Sequence, residues 1–246
     1  MLRRRLLAGA ALLWARAAQA QDDSFDGDPK APYGGIKVQP EGAAKLYGQL
    51  TRPLPRGSRD SGVKRFAAPA RTAAGRGPAL PYIVTPQLRA EAAARFLIRI
   101  EQTTPAIAAV VAREMSRHAF GPIFAGIIRP FGLQPDDAGD VAAAYTVLGW
   151  LIATGAPDPA PAQVLAARAQ IADEMARDPD MADKRTLTSL AEGLKLHFVI
   201  LHAGWQSARR SGTLDSYSDA IAALYASQSG LDLRALRLTR AGFTEG

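Results

Sequence analysis

The chain has 246 residues, 48% hydrophobic and 22% charged, with no cysteine and three histidines. That length suits one domain with appendages, and the missing thiols exclude disulfide scaffolds, thiolate zinc sites, iron–sulfur clusters, cysteine nucleophiles and a lipidated cysteine anchor. Three histidines also exclude a histidine-rich metal site, and no cofactor is expected.

Met1 to Ala20 has the three parts of a cleavable export signal. Arg3, Arg4 and Arg5 give the positive start, Leu6 to Trp14 a nine-residue apolar stretch, and Ala18-Gln19-Ala20 the small residues that a signal peptidase reads. As a helix, nine residues rise only about 14 Å, too little for roughly 30 Å of hydrocarbon. The segment therefore predicts a periplasmic or secreted protein whose mature chain begins at Gln21. Arg3-Arg4-Arg5-Leu6-Leu7 also fits a twin-arginine signal, which leaves the export route open.

The formal charge is +7, but residues 1–20 hold four Arg and no acid, so the remainder carries +3. Residues 21–80 contribute +4 of this and residues 81–246 contribute −1. Nucleic-acid binding needs a concentrated cationic face, so a nearly neutral domain makes nucleic acid an unexpected partner. Residues 21–80 hold nine Gly and seven Pro with few large aliphatic side chains. Such a composition buries too little apolar surface to offset chain entropy, so a mostly disordered basic tail is expected. Tyr33, Ile36, Val38, Leu46 and Tyr47 could form one short ordered patch within it. A tail of this kind suits a tether, or a cationic arm that meets anionic envelope polymers.

From Pro81 the punctuation becomes helical, and residues 81–246 are expected to form an α-helical domain. Thr85-Pro86 and Thr104-Pro105 each place an N-cap before a Pro at the first helical position, opening helices of about 86–101 and 105–118. A short helix follows over about 121–129. Asp137 caps one of about 138–154 that stops at Gly155, Pro161 begins another, and a long helix covers about 182–210. Asp215 caps the last, about 216–228, and residues 231–243 add an extended or single-turn closing segment. Val141 to Ala156 and Leu194 to Trp205 are apolar but shorter than the roughly twenty residues a span needs, so no membrane span is expected in the mature chain.

In the long helix Leu187, Leu190, Leu194, Phe198, Leu201 and Trp205 share one face, while Leu196, Val199, Ile200 and Ala203 occupy the opposite side of its middle. A helix apolar on most sides is a central one. The spacing therefore predicts an all-α, compact globule of about six or seven helices around a long central helix, about 182–210. Gly193 and Gly204 point the same way, which suggests close approach of another helix. Lys195, His202 and Gln206 make a narrow polar stripe.

Asp136-Asp137-x-x-Asp140 matches a short Asp-rich pattern that chelates magnesium, because carboxylates at i and i+4 can hold a hard cation through oxygen. At a helix start just after Pro135 the same residues serve as caps, and that reading is preferred. His197 and His202 are about 140° apart on their helix and cannot easily share a metal. Glu114 and His118 face together as a solvated pair. Glu192, beside Gly193, is the one carboxylate to test as a general acid, although its expected position is on the helix's outer side.

Phe131-Gly132-Leu133, Asp136, Asp137, Val141, Tyr145 and Trp150, then Gln163, Arg168 and Ala191-Glu192, are similar to an uncharacterised family of exported, all-α bacterial proteins. The ending Gly230-Leu231-Asp232-Leu233, Leu238-Thr239 and Gly242-Phe243 resembles it too, so the likeness covers about 80–243. It implies export and an all-α fold and carries no activity. The leading functional expectation is an exported, non-catalytic helical interaction or binding domain of the cell envelope, with an envelope protein or anionic polymer as partner. The alternative is a cell-wall-directed hydrolase using Glu192 as general acid.

Overall fold

The computed structural model describes residues 75–101 and 105–245. The expected signal and most of the expected tail, residues 1–74, lie outside the described residues. Among the described residues seven α-helices follow one another: α1 (Pro86–Glu101), α2 (Pro105–Arg117), α3 (Phe120–Ile128), α4 (Ala138–Thr154), α5 (Pro161–Arg177), α6 (Lys184–Ser211) and α7 (Leu214–Ser229). Strands β1 (Leu236–Thr239) and β2 (Gly242–Glu245) close the chain as a hairpin. The fold is thus mostly helical, as the periodicity predicts.

Local chemistry explains the helix ends. The Asp137 carboxylate accepts the Asp140 amide 3.0 Å away and starts α4, which stops at Gly155 with φ 62°, a conformation that costs a residue without Cβ little. Asp183 accepts the Thr186 amide and starts α6. Thr213, not Asp215, occupies the N-cap of α7; Asp215 lies in its first turn, where a carboxylate favours the helix dipole.

The most enclosed element is α4. Fifteen of its 17 residues are buried, against 13 of 28 in α6, so the long helix shares the centre with α4. Helices α5, α6 and α7 all pack on α4, and α1 and α3 pack on α6. This arrangement turns α6 relative to the sequence reading. Its inward side carries Ala191, Lys195, Phe198, Val199 and His202, while Leu190 and Leu194 are only half-buried. The stripe of Lys195 and His202 is therefore interior, because α1, α3 and the segment before α1 cover it.

Close helix approach occurs at Gly149 and not at Gly193. A Cβ at Gly149 would come within 2.4 Å of the Tyr225 ring, whereas one at Gly193 would meet nothing within 4 Å. Tyr225 lies over Gly149, stacks on Tyr145 at a centroid distance of 5.1 Å and donates its hydroxyl to the Tyr145 carbonyl at 2.7 Å. The closing hairpin is bound to α4 and α5 in a similar manner. Gln170 of α5 donates to the Phe243 carbonyl at 3.0 Å and accepts the Phe243 amide at 2.8 Å, standing in for a third strand. Trp150 Nε1 donates to the Leu236 carbonyl at 3.0 Å.

Two glycine substitutions separate these roles. Gly149→Ala should destabilise by about 1–3 kcal/mol through overpacking against a ring that has no room to retreat. Gly193→Ala should stabilise by about 0.5–1 kcal/mol, because it removes a helix-interior glycine into open space. Denaturant titration of both variants checks the pair; equal signs would contradict the packing described.

Candidate functional site

Two of the charged residues singled out in the sequence, Asp137 and Asp140, are drawn together by an arginine far from them in the chain. Arg168, on α5, is 2% exposed and distributes its guanidinium over four acceptors. Nε bonds Asp140 Oδ1, Nη2 bonds Asp137 Oδ1 at 2.8 Å, and Nη1 bonds the carbonyls of Arg76 and Pro78, the latter at 2.8 Å. The other carboxylate oxygens are also taken. Asp137 Oδ2 accepts the Leu80 amide at 2.7 Å, and Asp140 Oδ2 accepts the Gln134 amide at 2.6 Å and Arg76 Nη2 at 2.7 Å. Burial pushes the Asp137 carboxyl up, but the Leu80 and Asp140 amides and the Arg168 charge outweigh it and hold the group below the usual carboxylate range.

This cage binds residues 75–84 as a strap across the start of α4. The Ala138 amide donates to the Leu80 carbonyl at 2.9 Å, and the Tyr82 amide to the Asp136 carbonyl at 3.1 Å. Residues 75–80, assigned by composition to the tail, are therefore part of the domain. Composition missed this because the strap is held by polar bonds to its own carbonyls and amides, with little help from apolar side chains.

A second cluster lies where the strap meets α6. Glu192, expected on the outer side, is 5% exposed. Its Oε1 accepts Lys195 Nζ at 2.7 Å and the Tyr82 hydroxyl at 2.9 Å, and its Oε2 accepts Arg89 Nε at 3.4 Å. Lys195 Nζ also stands 3.6 Å from Asp136 and over the rings of Tyr82 and Phe124. The Tyr82 hydroxyl is 3.0 Å from the Pro135 carbonyl as well. Burial, followed by the charge of Glu192, raises its pKa far above the ordinary phenol value, so it stays protonated as a donor.

The three aspartates thus part company. Asp137 and Asp140 face Arg168, Asp136 faces Lys195, and among the described residues no three His, Asp or Glu side chains converge to hold a metal. His197 packs among Phe96 and Tyr145, with centroids 5.0 and 6.1 Å away. His202, expected on a solvated stripe, is buried between Phe198 and Trp205; burial, then the charge of Arg209, lowers its pKa to about 4, so it is neutral at pH 7. The side chain of Glu114 lies outside the described residues.

Beside the second cluster is a groove of about 690 Å³ between the strap and α1 on one side and the first turn of α6 on the other. Tyr82, Ile83 and Leu88 give it an apolar wall, with Ile83 84% exposed. Its rim carries Gln87, Glu91, Lys184 and Arg185, of which Glu91 and Arg185 pair at 3.1 Å. Thr188, one turn before Glu192, also lines the groove. Tyr82 therefore separates the apolar wall from the ion pair behind it.

Sequence reasoning missed Tyr82 and Arg89, and cited Arg168 for its resemblance alone. Arg168 did leave a signal: it falls on the same helical face as Val164 and Ile171, both buried. Against protein-family models, curated proteins and solved structures, the chain has no match.

Arg168→Met strips the cation from two buried carboxylates and should cost about 3–5 kcal/mol at neutral pH. The two proteins should then respond to acid differently. In the parent the Asp137 carboxyl is depressed, so its stabilisation is complete above the unfolded value of about 3.9 and is lost as pH falls through the lower folded value. In the variant Asp137 is buried with no cation beside it and Asp140 keeps only the half-exposed Arg76, so protonation costs the fold less. Denaturant titrations from pH 7 to 3 should show the gap narrowing; parallel curves would contradict the role given to Arg168.

Proposed function

We propose that the protein is an exported, non-catalytic helical binding domain of the cell envelope, and that the groove beside Ile83 receives an apolar segment of its partner. The observation that carries this reading is the open apolar wall itself. Ile83 is 84% exposed next to Tyr82 and Leu88, bordered by charges of both signs. An aliphatic residue so placed gains burial only when something covers it. Export rests on the signal-like residues 1–20 and on the resemblance to an exported helical family. Among the described residues no helix is long and apolar enough to cross a membrane, which agrees with a partner met from the aqueous side.

The hydrolase alternative asks Glu192 to give a proton at an open cleft. The contacts of Glu192 argue for another duty, since both its oxygens accept bonds that fasten the strap and α1 to α6. The ion pair is also screened from the groove by Tyr82.

A displayed-peptide panel tests the binding reading. Selected peptides should share an apolar anchor, and Ile83→Asp should weaken them by about tenfold or more, the scale of one lost buried side chain, while the melting temperature holds. Binding indifferent to Ile83→Asp would overturn the groove. Peptidoglycan turnover abolished by Glu192→Gln in a stably folded variant would favour the hydrolase instead. Export has its own check: mass spectrometry of envelope protein should show loss of residues 1–20, and an intact Met1 would contradict it.

A further inference from the structure

We propose that the partner's segment enters the groove as an extended strand that pairs with the main chain of the strap at Pro81 and Ile83, with an apolar residue laid beside the Ile83 side chain. The inference rests on the groove being a binding surface, and it adds the form in which the occupant is recognised.

The strap already behaves as a strand along its inner edge. Pro81 and Asp137 form an antiparallel bridge whose bonds come from the residues on either side: the Tyr82 amide donates to the Asp136 carbonyl, and the Ala138 amide to the Leu80 carbonyl. In an extended chain successive residues turn their N–H and C=O groups to opposite edges. Leu80 and Tyr82 therefore direct theirs at the start of α4, and Pro81 and Ile83 present theirs on the other edge. The side chains keep the same period of two. Leu80 and Tyr82 are half-buried and buried, whereas Ala79, Pro81 and Ile83 are exposed.

The outer edge lacks a partner. Among the described residues nothing bonds the Ile83 amide, the Ile83 carbonyl or the Pro81 carbonyl. Both residues line the groove, where Tyr82, Ile83 and Leu88 supply the apolar wall. An unpaired edge beside such a wall suits strand addition, in which the main chain gives affinity and alternate side chains give selectivity. A helix laid in the same place would leave the edge unmatched, since its own N–H and C=O groups are bonded internally.

Proline narrows the choice further. Pro81 has no N–H, so this stretch of edge offers one donor and two acceptors. An incoming strand of either direction meets it with one carbonyl and with the N–H groups of two residues spaced two apart. The segment is thereby defined as extended, apolar beside Ile83, and without Pro at those two positions. A second copy of the chain fits less well, because two such edges bring only two donors to four acceptors.

Amide exchange in the full chain tests the pairing, with the tightest octapeptide from the displayed panel as probe. Without peptide the Ile83 amide should exchange at a nearly unprotected rate while the Tyr82 amide is protected; with peptide bound, Ile83 exchange should slow by about tenfold or more. N-methylation scanned along the octapeptide should weaken binding by about tenfold at two residues spaced two apart, and by less than about twofold at the residue between them. An Ile83 amide left unprotected under bound peptide, a peptide helical in its bound state by NMR, or sensitivity without that spacing would overturn the pairing. If such a peptide were still lost with Ile83→Asp, the groove would stand as a binding surface and only the extended form would fall. Protection of the Ile83 amide that rises with protein concentration alone would assign the edge to a second copy instead. A panel yielding no peptide dependent on Ile83 would remove both readings.

Discussion

A single guanidinium holds the start of this domain together. Arg168 bridges two buried carboxylates at the head of α4 and two carbonyls of the strap, so three separate stretches of chain meet on one side chain. Burying such a group is expensive unless every donor finds an acceptor of opposite or partial negative charge. Here the acceptors are supplied by an N-cap, by the next carboxylate along the same helix turn and by main-chain oxygens, all rigid. Removing any partner leaves a desolvated charge, and the cluster is therefore all-or-none in its energetics.

The rest of the strap depends on that anchorage. Once residues 76–80 are fixed, Tyr82 is directed onto Glu192 and Lys195, and Ile83 is left projecting beside α1. The ion pair on α6 is thus the inner face of the structure whose outer face is the groove. Glu192 and Lys195 of the long helix support Tyr82 from behind, while Lys184 and Arg185 at its start line the groove. Elsewhere in the interior the polar rings are neutral: His202 on α6, and the stacked Tyr145–Tyr225 pair that joins α4 to α7.

Most of the helices were legible in the sequence because their ends carry local chemistry. Pro86, Pro105 and Pro161 open helices, Asp137 caps one, and Gly155, Gly212 and Gly230 end three. The hairpin was seen only as an extended or single-turn segment, since its two four-residue strands are too short for alternation to register and draw their partner from Gln170. The site was less legible. A helical wheel ranks faces by apolar content, so it placed Glu192, Lys195 and His202 toward solvent, when other elements cover that side. Charges buried through partners distant in sequence leave no periodic trace: Tyr82 to Glu192 spans 110 residues and Arg168 to Arg76 spans 92. Asp137 was the exception, because an N-cap is specified by its neighbours and its second role as an Arg168 partner reuses the same position.

Native-state hydrogen exchange at the strap addresses the central claim most directly. The Leu80 and Tyr82 amides donate to Asp137 Oδ2 and the Asp136 carbonyl, and if the cage makes the strap an integral part of the domain they should open only with the core. Their exchange free energies should match those of α4 interior amides such as Leu148 and converge with them as denaturant is added. Exchange of Leu80 and Tyr82 at near-unprotected rates, with Leu148 still fully protected, would contradict the account and make the strap a peripheral appendage.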